Sequence, residues 1–185
     1  MIRLFAAVDP PPEIVSALAA RQHGVPGARW RPPESLHITL RFFGDIAENL
    51  AADLDAELAA IDIPMFELSL EGAGCFGDGA DIEAIWAGVG ESPPLRRLAR
   101  RCETAARRAG LKAETRNYRP HVTLAYLRRP DPAAVGAWIQ ANNLLRSPPF
   151  RIGRFGLYSS WRTREGSRYR RERLYDLASD DPHAP

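Results

Sequence analysis

Cysteine, lysine and histidine are all scarce in this 185-residue sequence. Two cysteines, Cys75 and Cys102, are too few for a disulfide framework, and neither has a second cysteine at metal-binding spacing. Long apolar runs are missing as well. Stretches such as Leu4 to Val8 and Leu36 to Leu40 fall far short of the ~20 residues a membrane-spanning helix needs. No charged-then-apolar leader opens the sequence, so a soluble, unprocessed protein of the reducing cytoplasm is expected, with no membrane partner. The sole lysine, Lys112, lies in Lys112-Ala113-Glu114-Thr115, which offers neither the KxDG-like setting of a nucleotide-charged lysine nor a GxxxxGK[ST] phosphate loop. A coiled-coil seam is absent too, and a monomer is expected.

What is present is a balanced globular composition, 45% hydrophobic and 26% charged, sized for one large domain or two small, closely packed ones. The formal charge of +2 conceals an asymmetry. Residues 1–90 carry 5 basic and 14 acidic side chains, whereas residues 91–185 carry 20 and 9. The second half is therefore the anion-facing one. Its basic residues are almost all arginine, whose planar fork suits phosphate and base recognition.

Along the chain, Arg3 to Asp9 reads as a buried strand stopped by prolines, followed by a helix from Glu13 to Gln22. Leu36 to Phe43 is a strand ended by Gly44, and Ala47 to Ala60 is helical. Phe66 to Leu70 and Ile82 to Val89 read as two strands across a glycine-rich loop at 72–80, before a helix from Pro93 to Ala109 that Gly110 ends. Arg119 to Leu127, Phe150 to Ser160 and Arg168 to Leu177 are further strands, and Pro132 to Asn142 a helix. The order predicts an α+β fold of two similar lobes over residues 1–177, with a polar tail at 178–185 that frays.

One internal repeat carries chemistry. His37-Ile38-Thr39-Leu40 recurs as His121-Val122-Thr123-Leu124, 84 positions later, and each copy falls inside an expected strand. With only four histidines and five threonines in the chain, coincidence is a poor explanation. Residues two apart in a strand share a face, so each motif turns its histidine and threonine one way and its two apolar residues toward a core. Lobes related by a pseudo-twofold axis would bring both imidazoles and both hydroxyls to one cleft. In-line displacement at phosphorus needs a base on the attacking oxygen and an acid on the leaving oxygen, on opposite sides, and two histidines from opposed strands meet that need. Thr39 and Thr123 are donors for nonbridging oxygens, with an arginine or backbone N–H as helper. His23 and His183, outside the repeat, read as surface residues.

With both motifs, the chain resembles the 2H phosphoesterases, and within them the RNA 2′,3′-cyclic phosphodiesterases also called 2′-5′ RNA ligases. Met1 to Pro10, Arg29 to Gly44, Ile85 to Val89, Pro120 to Ala125 and Leu157 to Leu177 resemble family segments in the family's order. The resemblance implies two pseudo-symmetric lobes whose antiparallel sheets form a central groove, with helices packed outside. It implies that His37 is the general acid protonating the leaving 3′ oxygen and His121 the general base activating water. A 2′,3′-cyclic phosphate would open to a 2′-phosphate, Thr39 and Thr123 would hold the phosphate, and no metal or other cofactor is expected. The partners implied are RNA ends or 2′,3′-cyclic nucleotides. This chain departs from the family in two places: Tyr126 stands where a basic residue is frequent, and the loop before Trp86 is acidic, with Asp78, Asp81 and Glu83.

Aromatic residues near the motifs can stack on bases. Strict alternation puts Phe43 on the face of His37 and Thr39, with Phe42 on the other, and Trp161 beside Arg162 is a second stacking candidate. Rival readings are weaker. A metal hydrolase would need a denser ligand set than one histidine and one threonine per motif. A noncatalytic RNA- or nucleotide-binding module would give no reason for two histidines in matched settings. Nucleotide-independent 2′-5′ joining remains open as the reversal of phosphodiester opening.

Overall fold

A computed structural model describes residues 1–163 and 166–179. Strand β1 (Ile2–Val8) holds five successive buried residues, Leu4 to Val8, because it lies inside a sheet between two neighbours. Pro11 and Pro12 then open α1 (Pro12–Ala19), where proline's missing N–H costs nothing, and Ile14 and Leu18 bury one face at i, i+4 spacing. After the short β2 (Arg29–Trp30) come β3 (Ile38–Ile46) and α2 (Glu48–Ala59), which buries Leu54 and Leu58. Strands β4 (Phe66–Leu68), β5 (Leu70–Phe76) and β6 (Ala84–Val89) lead into α3 (Pro93–Arg108). The Ser92 hydroxyl caps α3 by accepting from the Leu95 N–H at 3.4 Å, and Gly110, at φ 84°, takes the left-handed conformation that ends it.

The second motif opens β7 (His121–Tyr126), followed by α4 (Pro132–Asn142), whose Asp131 cap accepts from the Ala133 N–H at 3.0 Å. Strands β8 (Phe150–Ile152), β9 (Arg154–Thr163) and β10 (Gly166–Asp176) complete the order. The main sheet runs β10-β9-β1-β3-β7-β6-β5, with β2 added beside β7. Every pairing in it is antiparallel. A small sheet pairs β4 with β8. Helix α3 packs on β3 and against α2, although it follows β6 in sequence, so the halves interleave. The α+β class and the antiparallel halves are as expected, but the two halves form one continuous sheet. They meet at β3 and β7 through a single register pair, Ile38 with Val122.

Two expectations need correction. The glycine-rich stretch at 72–80, read as a loop, is largely strand, because β5 extends to Phe76. Gly74 pairs with Trp86, and a Cβ on Gly74 would lie 2.5 Å from the indole, so this glycine makes room for a large neighbour rather than a turn. The tail expected to fray from residue 178 is still held there. Ala178 donates to the Ile63 carbonyl and accepts from the Met65 N–H. The rest of the expected tail, residues 180–185 with His183, lies outside the described residues.

Candidate active site

His37 immediately precedes β3 and His121 opens β7. Ile38 and Val122 are fully buried, as is Leu124, and Leu40 nearly so, while both histidines and both threonines are half-buried. Each motif is half core and half site. Just past each threonine the strand breaks its alternation in the same way. Thr39 pairs with Ala7 and Arg41 with Ala6, which leaves Leu40 as an extra residue. Thr123 pairs with Trp86 and Ala125 with Ile85, which leaves Leu124 extra. These are β-bulges, which re-aim the side chains that follow them. Both therefore turn the residue five positions after the histidine toward the site: Phe42 in one strand and Tyr126 in the other, 42% and 40% exposed.

A groove of about 1490 Å³ takes in His37, Thr39, His121 and Thr123 together, with Phe42 and Tyr126 on its wall. Among the described residues, eight arginines and three glutamates border it. Arg41, Glu103, Glu114 and Arg116 form a network on one rim. Arg41 reaches Glu103 at 2.5 Å and the Lys112 carbonyl at 2.8 Å, which ties β3 to α3 and to the segment leading to His121. Arg116 and the Arg116 backbone N–H hold the Glu114 carboxyl down to about 2. The acidic loop contributes Glu83 to the groove, whereas Asp78 and Asp81 face solvent. Of the described arginines between 151 and 173, only Arg162 borders it.

The histidines are seated alike and surrounded differently. His121 Nδ1–H donates to the Arg119 carbonyl at 2.7 Å, which leaves Nε2 of the neutral ring as the proton acceptor. The His37 ring bonds the Ser35 backbone, again two residues upstream. Phe76 meets His121 edge-on at 4.7 Å, with Trp86 behind it at 6.3 Å. His37 stacks on Phe5 at 4.9 Å, with Tyr158 at 6.4 Å and the Tyr169 edge at 5.2 Å. Burial, then the charge of Arg31, push the His37 imidazole down to about 4, against the Ser35 bond, with a smaller push from His121. Burial lowers His121 too, opposed by its bond to Arg119.

Several of these groups escape a sequence reading. Phe5, Tyr158 and Tyr169 look like ordinary strand residues, and Arg31 sits in a proline-flanked stretch with no motif of its own. Arg31 is only 7% exposed. Its guanidinium lies over the rings of Tyr169 at 5.1 Å and Tyr126 at 5.5 Å. The two stacking candidates are displaced. Phe43 does not border the groove but packs against the core, because the bulge at Leu40 shifts the alternation by one and gives its place to Phe42. Trp161 is 48% exposed yet also lies off the groove, which Ser160 and Arg162 border instead, as alternation along β9 requires. Among the described residues, no three His, Cys, Asp or Glu side chains cluster as metal ligands would.

Residues 8–164 match the 2′-5′ RNA ligase superfamily. The chain belongs to that family. It is 31% identical to the RNA 2′,3′-cyclic phosphodiesterase of Archaeoglobus fulgidus over 134 residues, 71% of this chain and 76% of the relative. It is 32% identical to the protein of the same name from Escherichia coli over 126 residues, 66% of this chain and 70% of the relative. The crystal structure of E. coli LigT complexed with 3′-AMP superposes with a TM-score of 0.76 at 27% identity, covering 95% of this chain and 98% of that one. The pairing of the two motifs across one antiparallel register pair is what brings their histidines and threonines to one groove. None of the described helices is long and apolar enough to cross a membrane.

Proposed function

We propose that this protein hydrolyses 2′,3′-cyclic phosphodiester ends of RNA, or small 2′,3′-cyclic nucleotides, to 2′-phosphomonoesters. Neutral His121 takes a proton from water through Nε2 as the water oxygen bonds to phosphorus. The P–O3′ bond breaks on the opposite side and His37 gives its proton to the departing 3′ oxygen. Thr39 and Thr123 donate to the nonbridging oxygens, where charge accumulates. The observation that carries this reading is the antiparallel pairing of Ile38 with Val122, which sets the two histidine and threonine pairs around one groove. The charged form of His37, disfavoured in the empty groove, gains a counter-ion when the phosphate anion arrives, so proton uptake at His37 is coupled to binding.

The name and substrate of the A. fulgidus and E. coli relatives support the same chemistry, and the arginine-lined groove suits an RNA end. Phe42 and Tyr126, exposed at equivalent positions of the two motifs, serve as stacking surfaces for bases. The protein works as a cytoplasmic monomer in this reading.

The test is turnover of an RNA oligonucleotide ending in a 2′,3′-cyclic phosphate, with EDTA present, resolving 2′- and 3′-phosphate products. Wild type is expected to release the 2′-phosphate, with His37→Ala and His121→Ala each slower by about 10²–10⁴-fold. A double variant should be little worse than either single one, since the two act as a unit. Undiminished turnover in either folded single variant would refute the two-histidine mechanism.

A further inference from the structure

Arg31 is the most deeply buried cation bordering the groove, at 7% exposure. A guanidinium removed from water needs compensation, and an oppositely charged partner is the usual source. Among the described residues Arg31 forms no ion pair with a carboxylate. Its polar contacts are a long one, 3.5 Å to the Ser167 carbonyl, and one to the Tyr169 hydroxyl, and the remaining stabilisation comes from the faces of Tyr126 and Tyr169. By contrast Arg41, almost as buried, is tied to two carboxylates and two carbonyls. One guanidinium is spent on structure and the other is left with unused donors.

The position of Arg31 is fixed from three directions. Its backbone N–H donates to the Leu124 carbonyl at 2.8 Å, beside the second motif. The Tyr126 ring on one strand and the Tyr169 ring on another hold the side chain. Tyr169 in turn touches the edge of His37, so the guanidinium lies one ring away from the first motif. An arginine fork held against two aromatic rings, with both histidines and both threonines in the same groove, is prepared for a tetrahedral oxyanion.

We propose that Arg31 is the phosphate-binding cation of this site: its fork binds the nonbridging oxygens of the cyclic phosphate and neutralises the charge that grows on them as water adds. The proposal rests on the phosphodiesterase reading for its reaction, but its binding half stands alone. It also accounts for Tyr126, which positions the arginine from the second motif's own strand. The Arg31 charge lowers the His37 imidazole in the empty groove, and a bound anion removes that opposition. Arg31 thus makes substrate the trigger for charging His37.

Two variants and one direct observation test this. Arg31→Gln removes the charge at similar size and Arg31→Lys keeps the charge without the fork. Binding of inorganic phosphate is measured by calorimetry, and the His37 imidazole is titrated by NMR with and without phosphate. Expected for Arg31→Gln are phosphate binding weaker by at least about tenfold and kcat/KM on the cyclic-phosphate oligonucleotide lower by about 10²-fold. The His37 titration should move to higher pH without phosphate, which loss of a purely structural residue would not cause. Arg31→Lys should recover part of the phosphate affinity. In wild type, the Arg31 Nε–H signal should shift on phosphate addition, an observation that needs no variant to fold. Phosphate binding unchanged in folded Arg31→Gln, or an Arg31 signal indifferent to phosphate, would overturn the assignment. Phosphate bound through Arg31 by a wild type that turns over no cyclic-phosphate RNA would refute the phosphodiesterase reading and leave the anion site standing.

Discussion

Ile38 and Val122 face one another in the single register pair that joins the two halves of the main sheet. Because the strands run in opposite directions from that pair, His37 lies toward Thr123 and Thr39 toward His121. Each histidine therefore has the other motif's threonine as its nearest motif partner across the junction. That crossed arrangement is the one the proposed acid and base need in order to stand on opposite sides of a phosphate.

The junction should be costly to hollow out. Both residues are fully buried. Ile38→Ala is expected to lose about 2–5 kcal/mol of stability, and Ile38→Val about 0.5–1.5 kcal/mol. Urea denaturation at constant m measures both. A loss below about 1 kcal/mol for Ile38→Ala would mean that the halves hold together without this contact.

The pH dependence follows from the lowered histidines. His37 sits at about 4 in the free protein and His121 below its ordinary 6.5. The proposed mechanism needs His121 neutral and His37 charged, so kcat/KM should rise as His121 loses its proton and fall as His37 loses its own. The expected profile of kcat/KM is a bell whose two apparent values belong to the pair, with its maximum below pH 6.5. A bound phosphate anion favours both imidazolium forms, so the limbs of kcat should lie at higher pH than those of kcat/KM. A kcat/KM flat from about pH 5 to 8 would rule this out.

Phe42 and Phe43 are neighbours with separate tasks. Phe42→Ala should weaken oligonucleotide binding by about fivefold or more, the loss of one stacked base, with little change in melting temperature. Phe43→Ala should do the reverse, lowering stability by about 3 kcal/mol or somewhat less because the ring is partly exposed. Tyr126→Phe should keep the stacking that Tyr126→Ala loses. Fluorescence anisotropy with a labelled oligonucleotide, beside thermal melts, separates the two effects.

Arg41 joins β3 to α3 and to the segment before the second motif, with its side chain 10% exposed. Arg41→Ala leaves Glu103 and the Lys112 carbonyl without their partner, at a cost of about 3 kcal/mol. Limited proteolysis should then cut between residues 111 and 118 sooner than in wild type. Unchanged stability would show that the other rim contacts suffice.

Much of this was legible in the residues themselves. Period-two alternation identifies His37, Thr39, His121 and Thr123 as one face and their apolar neighbours as the other, prolines mark the starts of α1, α3 and α4, and Gly110 marks the end of α3. What escaped was set by partners far away in sequence. The bulges at Leu40 and Leu124 arise from pairing with Ala6 and Ala7 and with Ile85 and Trp86, so no local pattern announces them, and Phe43 was read for Phe42. Arg31 acquires its place from Tyr126 and Tyr169, 95 and 138 positions on. The glycines of β5 signal a turn by composition, but Gly74 makes room for the Trp86 indole.

The matched bulges also give the site a parity. A strand counts its residues in twos, wet and dry, and one extra residue exchanges odd for even from that point on. Deleting Leu40 alone would close the bulge and leave Arg41 against Ala6 and Phe42 against Phe5, so Phe42 would keep its face while the core lost a leucine. A change of two residues would preserve the count. Away from the bulges, length variation in these strands should therefore be tolerated in even steps and punished in odd ones, whereas loss of Leu40 or Leu124 alone should leave the faces as they are.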